Sequence, residues 1–181
     1  MPCPGRRGFT LIEMMVTVTV LGILLVLVMP GFMHARAATA KHTLRQSLIG
    51  TLVQARAVAS TREQVVLLCP SHDQQSCADS EEWHHGFVAA VDVNGSGTVD
   101  PGDQPVSSHG RFDADIHAIS TRGRRLLKFY PNGGNAGSNV TFTFCDRRGP
   151  TKASAMAMSN VGNYREVPAS PDQVARACTG F

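Results

Sequence analysis

The chain has 181 residues, 17 Lys and Arg against 14 Asp and Glu, and a formal charge of +3, with 43% hydrophobic and 17% charged side chains. That length accommodates one ordinary domain with appendages, and the composition excludes both a disordered tail and a multi-span membrane protein. So small a charge does not by itself argue for nucleic-acid binding, and any basic patch must be local.

Arg6 and Arg7 precede Phe9-Thr10-Leu11-Ile12-Glu13, after which Met14 to Met29 carries no charge, with Thr17 and Thr19 its only polar side chains. Phe9 to Met29 is long enough to span a membrane as a helix, which takes roughly 20 residues. The two arginines hold the N-terminus in the cytoplasm and send the rest outward. A secretory signal peptide would have a shorter apolar core ending in a small-x-small cleavage site, and Val28-Met29-Pro30-Gly31-Phe32 offers none. A plain single-span anchor leaves Glu13 unexplained, because a carboxylate near the start of an apolar helix is costly in lipid and usually marks function.

Gly8-Phe9-Thr10-Leu11-Ile12-Glu13 resembles the class III signal of type IV pilins and type II secretion pseudopilins. The resemblance implies a leader over residues 1–8, cut after Gly8 by prepilin peptidase, with the new amino group of Phe9 methylated. Glu13 then falls fifth after the cut. In this family that carboxylate pairs with the terminal amine of a neighbouring subunit, in keeping with the rule that a buried charge is tolerable only when paired. Residues 9–29 become a helix held in the bacterial inner membrane, N-terminus cytoplasmic and remainder periplasmic, until the subunit joins other major and minor pilins or pseudopilins in a pilus or pseudopilus.

Residues 30–62 turn amphipathic. Leu44, Leu48, Leu52, Ala55 and Ala59 form one stripe, with Lys41, Arg45, Gln46, Gln54 and Arg56 elsewhere. The helix either continues to about Thr61 or restarts after Pro30-Gly31, since proline kinks or ends helices. Residues 63–181 read as strands: Val65–Cys69, Gly86–Asp92, Leu126–Tyr130, Val140–Cys145 and Ala153–Met158. The last two alternate, as a half-buried sheet would. Gly/Asn/Ser clusters at 94–97 and 132–139 punctuate them. The expected fold is α+β, a long N-terminal helix packed on an antiparallel meander. Cys69-Pro-Ser and Cys77, then Trp83, Gly86-Phe87 and Asp92-Val-Asn-Gly-Ser-Gly, then Pro131-Asn-Gly-Gly and Thr141-Phe-Thr-Phe-Cys145-Asp, together resemble the FimT/GspH branch.

Beyond Cys3 in the leader, Cys69, Cys77, Cys145 and Cys178 make an even set suited to an oxidising compartment, with three pairings open. Loop proximity favours Cys69–Cys77 and Cys145–Cys178. Asp92, Asn94, Ser96, Asp100 and Asp103, with glycine at the sixth position, have the spacing of a calcium loop. Asp at the twelfth position and strand-like flanks instead favour a turn held by Asx chemistry. His72, His84, His85, His109 and His117 include no pair at a recognised zinc spacing, so no metal or cofactor is expected. No nucleophile, base and acid stand in a recognisable context, so no enzyme activity is expected.

DNA-uptake members of the FimT branch resemble one another in a C-terminal Gly-Arg-x-Arg, where this chain has Gly162-Asn163-Tyr164-Arg165. The resemblance makes DNA a candidate partner through Arg165. Arg147, Arg148, Lys152 and Arg176 are candidate phosphate contacts and Tyr164 a candidate stacking platform. The alternative is a solvated basic edge. The expected function is a minor pilin of a type IV pilus with a DNA role in transformation, and the alternative a minor pseudopilin of type II secretion.

Overall fold

The structure, a computed structural model, describes residues 8–135 and 139–180. Leader residues 1–7 and residues 136–138 of the expected turn lie outside the described residues. The chain divides into two units, one ending at Arg36 and one beginning at Ala37.

One helix, α1 (Leu11–Arg62), runs through Pro30, so the second helix contemplated after Pro30-Gly31 does not form. Thr10 starts it: its Oγ1 accepts the Glu13 N–H at 3.3 Å, satisfying one of the orphan donors of the first turn. From Leu11 to Phe32 the large apolar side chains are exposed. In the second unit Leu44, Leu48, Leu52, Ala55 and Ala59 are buried as the stripe predicts, joined by Ala37 and Thr51.

The rest is not one meander but two four-stranded antiparallel sheets. The first contains β1 (Val66–Pro70), β2 (Phe87–Val91), β3 (Gln104–His109) and β5 (Leu127–Phe129), in the order β3-β2-β1-β5. The second contains β4 (Ile116–Ser120), β6 (Val140–Asp146), β7 (Ser154–Met158) and β8 (Tyr164–Val167), in the order β4-β6-β7-β8. A turn of 3-10 helix, Pro150–Lys152, precedes β7, and α2 (Pro171–Ala177) closes the chain, capped by the Ser170 hydroxyl. β3, β4, β8 and α2 escape the sequence reading. β3 is a polar edge strand with Pro105 at a position that a central strand would not accept.

β1 and β2 are buried on both faces. Val66, Leu68, Phe87, Ala89 and Val91 face the main core, which contains the α1 leucines, Trp83 and Phe142, Phe144 and Met156 of the second sheet. Leu67, Cys69, Val88 and Ala90 form a smaller core with Val99 of the 92–103 loop. β6, expected half-buried, has only Thr141 partly exposed.

The segment before β2 ties the sheets together. Glu82 bridges Ile119, the Trp83 N–H donates to the Ala118 carbonyl at 2.8 Å, and the Trp83 ring meets Phe142 edge-on at 5.1 Å. Gly86 then enters β2 at φ +121°, where a Cβ would lie 2.6 Å from the His109 carbonyl oxygen and 2.7 Å from that of Ser71. Only glycine fits so close a backbone approach.

Two disulfides complete the fold. Cys69–Cys77 closes a loop of separation 8 and Cys145–Cys178 one of separation 33, the latter fastening α2 beside β6. The first loop is wound around Asp73, whose Oδ1 accepts the Gln75 and Ser76 N–H groups at 2.9 Å each.

Candidate functional site

At the N-terminus Phe9 is 79% exposed and Ile12 70%. Among the described residues the apolar surface of α1 up to Phe32 is exposed, and α1 is long and apolar enough to cross a membrane. Glu13 sits in its first turn, where a carboxylate faces the positive end of the helix dipole.

At the C-terminal end, Tyr164 and Arg165 lie on β8, the outer strand of the second sheet. They line an open groove of about 550 Å³ with Thr141, Met158 and Asn163 among its walls. The other cations considered for DNA do not line it. Arg147 reaches Asp115 at 3.2 Å, Arg148 grips Asp146 through both carboxylate oxygens, and Arg176 pairs with Glu81. Lys152 contributes its carbonyl to Lys41. Three of the five cations are thus already matched by carboxylates. Gly162 also has a local reason to be glycine: it turns at φ +76° between β7 and β8, and a Cβ would press on the Arg56 guanidinium at 3.1 Å.

In the 92–103 loop the carboxylates are engaged by the loop itself. Asp92 Oδ2 accepts the Gly97 N–H, Asp103 accepts those of Val93 and Asp100, and Asp100 accepts from Asn94, Ser96 and the Gly102 N–H. The Asn94 side chain, then the Gly102 N–H, hold the Asp100 carboxyl below its usual range. This is Asx-turn chemistry, and it places Val99 against the small core.

Residues 3–29 match the family described as the prokaryotic N-terminal methylation motif, and residues 45–162 match the family described as type II transport protein GspH. The chain belongs to the GspH family. Among solved structures, this GspH-family chain is similar to the type IV minor pilin FimU of Pseudomonas aeruginosa. In one crystal form the TM-score is 0.58 at 19% identity, covering 78% of this chain and 96% of FimU. In a second form it is 0.55 at 19% identity, covering 76% and 98%. A further similar structure is the minor pseudopilin EpsH from the type 2 secretion system of Vibrio cholerae, at TM-score 0.49 and 13% identity, covering 71% and 95%. No curated protein matches. At 19% identity the likeness to FimU is one of fold: a pilin-like α+β architecture.

The GspH family is structural rather than enzymatic, the methylation motif implies processing by prepilin peptidase, and pilin-like subunits assemble with others of their kind. The apolar helix behind that motif is what an inner-membrane precursor carries before assembly.

One electrostatic feature of the GspH-family domain is invisible in the sequence. Asp146, fully buried at the end of β6, accepts from Lys41 of α1 at 3.0 Å as well as from Arg148. Burial pushes its carboxyl up, but the hydrogen bonds from Arg148 and Lys41 outweigh this and hold it down to about 2. Arg45 reaches Glu166 of β8 in the same way. Two residues assigned to the polar side of the helical stripe thus cross-link α1 to the second sheet. Only the pairing of distant segments creates that role.

Proposed function

We propose that this chain is a minor pseudopilin of the GspH type, a subunit of the short periplasmic filament of a type II secretion system. The observation that carries the reading is the GspH family match over residues 45–162 behind a methylation motif over 3–29. In this reading prepilin peptidase cuts after Gly8 and Phe9 becomes the methylated N-terminus. Residues 9–29 wait in the membrane, residues 30–62 continue the helix, and residues 63–181 form the periplasmic domain. Glu13 pairs with the terminal amine of a neighbour, and the exposed apolar side chains of α1 pack against other helices in the filament.

Deleting the gene and measuring export of folded secreted proteins and surface piliation side by side tests the assignment. Lost export with normal pili is the expected result. Lost pili with normal export would move the chain to a type IV pilus. Intact-mass analysis of the membrane fraction should find Phe9 methylated. Glu13→Ala should be processed normally yet fail to enter filaments.

A second reading, a type IV minor pilin that contacts DNA, is favoured by one observation: Tyr164 and Arg165 share an open groove on an outer strand. DNA binding by the detergent-solubilised chain across a salt series tests it. Binding that weakens with salt and with Arg165→Ala supports that reading, whereas no binding at low salt removes it.

A further inference from the structure

Glu82, His84 and His85 each offer one donor atom, and these atoms lie within 4.8 Å of one another. They sit in the segment between the Glu82–Ile119 bridge and the start of β2, a segment already fixed by the buried Trp83 and by the close approach at Gly86. Metal sites need this kind of rigidity, because an ion binds tightly only where its ligands are held in place beforehand. We propose that Glu82, His84 and His85 form a binding site for a divalent transition-metal ion of the Zn²⁺ class.

The donor set suits such an ion. Two imidazole nitrogens and one carboxylate oxygen match the preferences of zinc and its neighbours, and three protein ligands leave a fourth position for water or an incoming group. His84 is buried, and its Nδ1 lies 3.3 Å from both the carbonyl and the N–H of Ala118. An imidazole anchored to backbone through one nitrogen is oriented to ligate through the other. His85 Nε2 stands 3.2 Å from Glu82 Oε2, with His85 and Glu82 both reachable from solvent.

The imidazoles are also packed against one another. The rings of His84 and His85 lie 4.1 Å apart, and His117 stacks on His84 at 4.6 Å. A metal ion would draw on the same His85 Nε2 and Glu82 Oε2 atoms that stand 3.2 Å apart. The site is independent of which filament the subunit joins.

The full-length chain in detergent micelles, freed of metal by chelation, is titrated with Zn²⁺ by calorimetry. One equivalent should bind with a dissociation constant in the micromolar range or tighter. His85→Ala and Glu82→Gln should each weaken it at least tenfold, while His42→Ala on α1 leaves it unchanged. Circular dichroism of each variant must match wild type, so that a lost site is not a lost fold. Co²⁺ should give the intense visible absorption of a four-coordinate site in wild type and lose it in both site variants. No saturable Zn²⁺ binding by wild type, or wild-type affinity retained by either site variant, overturns the proposal.

Discussion

The two halves of α1 use the same residues to opposite ends. Leu24 and Leu48 lie on one helix, yet Leu24 is 52% exposed and Leu48 is 0% exposed. Up to Phe32 the leucines and valines of the helix are exposed. From Ala37 onward its leucines and alanines are consumed by the subunit's own core. What a leucine contributes is thus decided by what faces it.

Gly86→Ala strikes the second unit hardest. It combines a positive φ with backbone oxygens inside contact distance, and such a variant should not fold, read as loss of protease resistance of the second unit. The matched leucines come next. Leu48→Ala should cost about 4 kcal/mol of unfolding free energy in a denaturant titration, whereas Leu24→Ala should fall within about 0.5 kcal/mol of wild type. Equal losses at both sites would break the comparison. Removing Cys145–Cys178 should cost about 3.7 kcal/mol and removing Cys69–Cys77 about 2.5 kcal/mol, from the loop-closure entropy of separations 33 and 8. The chemical-denaturation midpoints of the two double Cys→Ala variants check the order.

The smallest effect is a pH dependence. His84 takes up a proton more readily unfolded than folded, because burial lowers its folded value from 6.5 to about 4. The unfolded state therefore binds more protons across that interval, so stability falls as pH drops from about 6.5 towards 4, by about 2 kcal/mol at pH 5. With chelator present, His84→Gln should flatten that slope. Asp146 acts in a lower window: its folded value is depressed, so its contribution stands above the ordinary 3.8 and is lost as pH falls through about 2. A slope between pH 6.5 and 4 that survives His84→Gln would assign it to another group.

The sequence by itself determined the local, periodic features of this protein. The processing motif and the apolar run are contiguous, and their chemistry is read by an enzyme and a membrane without any fold. The stripe Leu44, Leu48, Leu52, Ala55 and Ala59 follows from helical geometry alone, and strands β1, β2, β5, β6 and β7 follow from apolar runs. Tertiary structure decided what depends on distant partners. β3 and β8 are polar outer strands that exist because a neighbour supplies hydrogen bonds, and so they carry almost no apolar signal. The division into two sheets depends on β5 pairing with β1 and β4 with β6 across long stretches of chain. Lys41 meets Asp146 only because α1 lies against the end of β6, and Arg147 and Arg176, two of the expected DNA cations, are engaged by distant carboxylates in the same way. Charge pairing is set by distance in space, and a linear sequence records distance only along the chain.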